Sequence, residues 1–199
     1  MVKLLYSIIF VCNNFPEVDS DKTDLYGPFW IYATMAFTLA ISQNIYSFLS
    51  RPEGMKFIYT VNYVPSAFAI IYSFGVFVPL AFNFLLKVLG CEMTYSRAIQ
   101  VYGYSQTINV ICLMLCAYPN NVFQTFCILY GAVHSSLFIF LALRSITSDK
   151  GHNFKWGVIL GMAVSQFCLV MTYKFFFFGD LYKGERNAQE EAAKLNAGN

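Results

Sequence analysis

Long apolar stretches fill most of this chain of 199 residues, and only short polar connections separate them. Charged residues make up 12% of the sequence, whereas an ordinary soluble domain has about 25%. That is too little charge to cover a surface that faces water, so most of the chain is expected to face lipid. In hydrocarbon every backbone N–H and C=O group needs an internal partner, which helices supply. We therefore expect an all-α membrane protein.

Five of the apolar stretches approach the roughly 20 residues that a helix needs to cross a bilayer. Proline, glycine or charged residues separate them, as in Arg51-Pro52-Glu53-Gly54 and in the tight turn Pro119-Asn120-Asn121. The chain then divides into a short N-terminal segment, 1–27, a membrane domain, 28–178, and a polar tail, 179–199. The predicted fold is a polytopic bundle of five transmembrane helices over residues 29–48, 66–86, 99–118, 122–143 and 156–178.

Residues 24–30 mark the change from an acidic segment to the first apolar stretch. Gly27 permits a sharp change of direction, and Pro28 suits the first turn of a helix. The aromatic residues around them fit a membrane interface. Before this point lies a short apolar run, residues 4–12, which is too short to span. It is either a short strand or interfacial anchor, or the core of a signal peptide that is removed.

Two short motifs in this sequence occur in a known family. The first is Asp24, Leu25, Tyr26, Gly27 and Pro28; the second is Tyr102, Gly103, Tyr104 and Ser105, with Val101 at a position where the family usually has glycine. With Ile41-Ser42-Gln43-Asn44 in the first span, they resemble the Yip family of five-span Golgi and endoplasmic-reticulum membrane proteins, named for interaction with Ypt/Rab GTPases. The resemblance covers about residues 24–178.

This resemblance implies a membrane trafficking factor of the Golgi, endoplasmic reticulum or endosomes that acts in vesicle-mediated transport. The implied partners are prenylated Rab GTPases and Yip/Yif-type membrane proteins, with a homo- or hetero-oligomer as the assembly. It also implies a cytoplasmic N-terminus and a lumenal C-terminus, so that both motifs bind partners from the cytoplasmic side. Counted over the whole chain, seven basic residues against six do not decide the orientation, but the connecting loops favour it by the positive-inside rule. On this orientation the cytoplasmic loops hold Lys87, Arg97, Arg144, Lys150 and Lys155, and the lumenal loops hold Arg51 and Lys56.

The predicted spans contain amides and hydroxyls but no Asp or Glu. Ion-coupled transporters commonly rely on an intramembrane carboxylate, so this absence disfavours transport. The polar groups are expected to pair across helices, either as glue inside the bundle or around a cavity for a lipid headgroup or other ligand. A continuous polar path through them would instead indicate a channel or transporter. The main candidates are Asn44, Asn83, Asn109 and His134, the last either a neutral hydrogen-bond donor or a protonation switch.

Small residues recur every four positions in the last two spans. They are Cys127, Gly131 and Ser135 in the fourth, and Gly157, Gly161 and Ser165 in the fifth. Such rows let helix backbones approach closely, and we expect the two faces to pack on each other or on another subunit. Lys174, near the end of the fifth span, can extend its ammonium group to the interface.

Patterns typical of other functions are missing from the sequence. No nucleophile elbow, zinc-protease helix, redox cysteine pair or phosphate loop occurs. A catalytic serine–histidine pair such as Ser105 and His134 would rest on residue type alone. Cys12 and Cys91 are either acylated or reduced. We predict no enzyme, cofactor or metal site, and no nucleic-acid partner because basic residues form no stripe. The alternatives to trafficking are a structural five-span subunit of a larger membrane complex and a lipid or small-solute transporter.

Overall fold

The computed structural model of the protein describes residues 24–50, 63–88, 90, 93–147 and 152–177. Within these ranges the chain is helical and contains no strand, which confirms the all-α prediction for the part described. The short run 4–12, Cys12, Cys91 and the polar tail lie outside the described residues. The elements are α1 (Tyr26–Ser50), α2 (Tyr63–Val88), α3 (Tyr95–Ser105), α4 (Thr107–Leu115), α5 (Asn121–Thr147), α6 (His152–Thr172) and a π-helical turn (Tyr173–Phe177).

Two of these helices contain segments that are long and apolar enough to cross a membrane, Val64–Val88 and Asn121–Leu143, each with a mean hydropathy of 2.0. Large apolar side chains also cover the outside of the described helices. Phe77, Phe126 and Leu160 are 65%, 66% and 67% exposed, an arrangement that suits lipid and not water. The chain is therefore a membrane protein. Each predicted span overlaps a helix, with α3 and α4 together over the third, but the number of crossings stays a prediction.

Helix α1 packs against α2, α3 and α4. Its inner face is formed by small and medium side chains such as Ala36 and Leu39, neither of which is exposed. On the α2 side the ring of Tyr32 lies against Gly75, where an added Cβ atom would come within 2.7 Å of the ring. The Tyr72 hydroxyl donates to the Phe29 carbonyl oxygen at 3.1 Å. Glycine and hydroxyl contacts therefore hold α1 against α2.

The helix over the third predicted span is broken at Gln106, a break that the sequence analysis did not anticipate. The Gln106 N–H donates to the carbonyl of Gly103, three residues back. The Ser105 and Thr107 hydroxyls donate to the carbonyls of Tyr102 and Tyr104. Side-chain hydroxyls that bond carbonyls in this way compete with the helical pattern. The hydroxyl-rich sequence therefore separates α3 from α4.

The second motif lies deeper in the bundle than expected. The predicted span 99–118 puts this motif in its first turns, but α3 begins at Tyr95. Tyr104 is the tenth residue of α3, which puts it about 14 Å along the axis from the first. The motif therefore ends α3, directly before the break.

The two rows of small residues do not face each other within this chain, and packing of either row on another subunit stays a prediction. Gly131 lies against Asn109 and Cys112 of α4. Gly161 lies against Leu85 of α2, with 2.9 Å between an added Cβ atom and Cδ2 of that leucine. A row of small residues permits close approach by any neighbour and does not choose one. The row on α5 faces α4, and the row on α6 faces α2.

Candidate functional site

The first motif forms the beginning of α1. One carboxylate oxygen of Asp24 accepts a hydrogen bond from the backbone N–H of Tyr26 at 3.0 Å. An acidic side chain at this position satisfies a donor that has no partner inside the helix and suits the positive end of the helix dipole. Pro28 follows in the first turn, where its missing N–H costs nothing. Asp24 therefore fixes where α1 begins.

The second motif contacts the first directly. The Tyr104 hydroxyl donates to the other carboxylate oxygen of Asp24 at 3.1 Å. The glycine of each motif meets a ring of the other. A Cβ atom added to Gly27 would overlap the Tyr104 hydroxyl, and one added to Gly103 would lie 2.5 Å from the Pro28 Cβ atom. Only glycine allows this approach at either position.

Burial separates seven of the nine motif residues into two groups. Pro28 and the whole second motif, Tyr102 to Ser105, are buried. Leu25 and Tyr26 are 45% and 72% exposed. The second motif therefore holds α1 in place, and Leu25 and Tyr26 are the motif residues exposed in this conformation. This is narrower than the predicted set of partner-binding residues.

The exposed surface continues along α1 beyond the motif. Phe29 and Trp30 are 52% and 51% exposed, and the Trp30 ring contacts those of Tyr26 and Phe29 edge to face. We call Leu25, Tyr26, Phe29 and Trp30 the aromatic face. Phe29 and Trp30 were expected at the membrane interface alone and were not among the predicted partner-binding residues. Their helical spacing next to Tyr26 is the signal that connects them to it.

Hydrogen bonds also tie the second motif to α5. The Ser135 hydroxyl donates to the carbonyl of Ser105 at 2.8 Å. The Asn109 amide nitrogen donates to the Ser135 hydroxyl at 3.3 Å and to the Gln106 side-chain oxygen. The Ser105 hydroxyl donates its own proton to the Tyr102 carbonyl at 2.6 Å. These bonds connect α3, α4 and α5 around the break and use Ser105 as a structural group.

The four intramembrane polar candidates are all buried, but their hydrogen bonds lead to different places. The Asn44 amide donates to the Ala40 carbonyl within α1 at 3.0 Å. The Asn83 amide donates to the carbonyl of Met93 at 2.5 Å, next to the start of α3. Asn109 bonds across to α5, and the His134 ring lies 6.2 Å from that of Tyr130. These contacts favour the reading of polar glue inside the bundle.

Metal-ligating side chains do not cluster in the described part of the chain. No group of three or more His, Cys, Asp or Glu side chains there could hold an ion. Three thiols, those of Cys112, Cys116 and Cys127, are free and buried between α4 and α5. They act as small packing residues along this contact.

Comparisons with known proteins agree with the two motifs. The model of the Yip1 domain matches residues 13–178. The chain is 22% identical over 181 residues to Protein YIPF1 homolog of Dictyostelium discoideum, with 90% of this chain and 52% of that protein aligned. It is 24% identical over 187 residues to Protein YIP5 of Schizosaccharomyces pombe, with 88% and 74% aligned.

The chain thus spans about half the length of the Dictyostelium relative. No solved structure matches it. The domain match covers most of the chain and includes both motifs and every described helix. The chain therefore belongs to the Yip1 domain family.

Proposed function

We propose that this protein is a membrane trafficking factor of the Golgi, endoplasmic reticulum or endosomes that acts in vesicle-mediated transport by binding prenylated Rab GTPases. Membership of the Yip1 domain family supports trafficking in the secretory pathway. One structural observation carries the rest of the proposal. The contact between Asp24 and Tyr104 fixes the start of α1 and leaves the aromatic face outside the bundle.

The depth of this face supports a lipid-modified partner. Tyr104 lies about 14 Å along α3 from the helix start, and Asp24 is beside it. If α3 begins at the outer edge of the headgroup layer, which is about 5 to 7 Å thick, the aromatic face lies below the headgroups, in the outer part of the hydrocarbon. A prenyl chain reaches that depth, whereas the folded domain of a soluble GTPase does not. Aromatic rings also offer large apolar contact area with little loss of side-chain entropy.

The proposed topology has five membrane crossings, with the N-terminus in the cytoplasm and the C-terminus in the lumen. The helices over the five predicted spans support it, as do the basic residues of the connecting loops. Yip/Yif-type membrane proteins, or a second copy of this chain, are the proposed neighbours within the bilayer.

Recovery of Rab GTPases with the full-length protein tests the proposal. Purified protein in detergent is mixed with a prenylated Rab GTPase or with its unprenylated form, and bound GTPase is quantified. We expect the prenylated form to be retained. Tyr26→Ala removes the most exposed ring of the aromatic face, and we expect at least about a tenfold fall in affinity, the loss of about 1.4 kcal/mol.

Tyr118→Ala is the matched control. Tyr118 is 61% exposed, its ring contacts one phenylalanine edge to face, and it lies at the other end of the bundle, after α4. We expect this variant to bind as the unchanged protein does. Equal loss in both variants, or equal binding of both forms of the GTPase, would reject the proposed interaction. A stable stoichiometric complex without Rab GTPases, unchanged by Tyr26→Ala, would favour the structural-subunit alternative.

A further inference from the structure

A long apolar groove runs between α5 and α6 on the outside of the described helices. Its volume is about 650 Å³, within the range of about 300 to 1,000 Å³ that is usual for small-molecule sites. Leu129 and Val133 of α5 form one wall, and Phe167 and Val170 of α6 form the other. The first three of these side chains are at least half exposed, so the groove opens toward the surrounding lipid.

One end of the groove carries a positive charge. Lys174 follows α6, and its ammonium group donates to the Asn121 side-chain oxygen at 2.6 Å and to the Thr125 hydroxyl at 2.5 Å. Both acceptors are neutral. Among the described residues the single carboxylate is that of Asp24, which bonds Tyr104. An ammonium held at a membrane boundary by neutral oxygens attracts an anionic group.

The length of the groove corresponds to one leaflet of a bilayer. Along α5 it extends from Thr125 to Leu137, which is about 18 Å at 1.5 Å per residue. The hydrocarbon core of a bilayer is about 30 Å thick, so one leaflet contributes about 15 Å. Lys174 lies at the end where α5 begins. The charged end therefore falls at the interface and the apolar end near the middle of the bilayer.

The width of the groove suits a hydrocarbon chain. A volume of about 650 Å³ over about 18 Å gives a mean cross-section of about 36 Å², or a width of about 7 Å. A helix with its side chains is about 10–12 Å across. An acyl chain therefore fits within the groove, whereas a helix would rest on its rim with single side chains inserted.

We propose that this groove binds one acyl chain of an anionic phospholipid, whose phosphate contacts the ammonium group of Lys174. The chain fills the space between Val133 and Phe167, and the hydroxyl of Thr125 lies beside the headgroup. The remaining proton of the ammonium group is available to the phosphate, because two are already donated. This site is separate from the aromatic face and does not depend on the proposed trafficking function.

Native mass spectrometry of the full chain tests this site. The protein is released from detergent micelles that contain either dioleoylphosphatidylserine or dioleoylphosphatidylcholine at the same concentration. We expect one lipid to be retained, with phosphatidylserine favoured about fivefold. Lys174→Gln keeps a donor for Asn121 and Thr125 but removes the charge, and we expect it to abolish the preference. Ala132→Phe fills the groove and should reduce retention of both lipids.

Two controls match these variants. Lys87→Gln removes an exposed lysine at the end of α2, and Ala81→Phe adds a ring at an exposed position of α2. Both should retain lipid as the unchanged protein does. Labelling of the buried thiols verifies that each variant is folded. Equal retention of the two lipids by the unchanged protein, or a preference that survives Lys174→Gln, would overturn the proposal. A change in oligomer size with Ala132→Phe and unaltered lipid retention would assign the groove to a second copy instead.

Discussion

Helix α5 packs against α4 and α6 in different ways. Toward α4 it presents its row of small residues, and the helices approach until Gly131 lies against the side chain of Asn109. Hydrogen bonds of Ser135 close this contact. Toward α6 it presents larger apolar side chains such as Leu129 and Val133, and an open groove remains. We call the first contact the seam, which comprises the α4–α5 interface around Gly131 and Ser135.

The difference reflects what drives helix association in lipid. Bringing two apolar faces together gains no hydrophobic energy there, because lipid tails are as apolar as leucine. Small residues and hydrogen bonds supply the reason for close contact at the seam. At the groove the hydrogen bonds from Lys174 to Asn121 and Thr125 lie at one end, and lipid covers the larger apolar walls as well as protein would. We therefore expect the same kind of substitution to act differently on the two faces of α5.

The largest difference is expected when bulk is added at adjacent positions. Gly131→Leu places atoms where Asn109 already lies, with Cys112 Sγ only 3.3 Å from the added Cβ atom. We expect a loss of about 3 kcal/mol in the free energy of unfolding, the upper range for an overpacked core. Ala132→Leu places its side chain in the groove and should change the free energy of unfolding by no more than about 0.5 kcal/mol.

Titration with SDS in mixed micelles measures both values, with labelling of the three buried thiols as the signal for unfolding. Equal destabilisation by the two leucines would mean that the groove is closed in solution and that the two faces of α5 do not differ.

The positions of the helices could be predicted from the sequence, because the need to satisfy backbone groups in lipid leaves few alternatives. That Gly131 lies in a close helix contact could be predicted from the sequence, but its neighbour could not. Its spacing from Cys127 and Ser135 indicates that some backbone comes near. That the neighbour is α4 could not be predicted, because this depends on Asn109 and Ser105, which lie on other helices and have no pattern that points to α5.

The two motifs show a similar limit. Their resemblance to a family gave the residues, but not the division between the buried Tyr104 and the exposed Tyr26. That division arises because α3 begins at Tyr95 and carries the second motif down to Asp24. The groove was missed for another reason. Leu129 and Phe167 are ordinary membrane residues in sequence, and a gap between helices appears only when their packing is known.

Two equally buried glutamines allow a sharper test of the comparison. Gln124, at the seam, is 1% exposed and donates to the carbonyls of Cys116 and Tyr118 at 2.9 and 3.3 Å. Gln166, beside the groove, is 2% exposed, and its amide has no partner among the described residues.

Replacing each glutamine by leucine should have opposite effects. Gln124→Leu should lower the free energy of unfolding by about 2 kcal/mol, because two carbonyls lose their donor. Gln166→Leu should raise the free energy of unfolding by about 1 kcal/mol, because it removes an unpaired group. Destabilisation by both leucines would show that Gln166 has a partner, such as an ordered water.

The smallest effect is expected from two neighbouring serines on α5. Ser135→Ala removes the bond to the Ser105 carbonyl and the acceptor for Asn109, and we expect a cost of about 1 kcal/mol, typical of hydrogen bonds between transmembrane helices. Ser136 is half-buried and lines the groove, and Ser136→Ala should stay within about 0.5 kcal/mol of the unchanged protein.

A double variant tests the bond between Ser135 and Asn109 itself. Ser135→Ala combined with Asn109→Ala should lose less free energy of unfolding than the two single variants lose together, because both changes remove the same bond. Full additivity would mean that the 3.3 Å contact between these side chains contributes nothing, and that close packing at Gly131 alone holds the seam together.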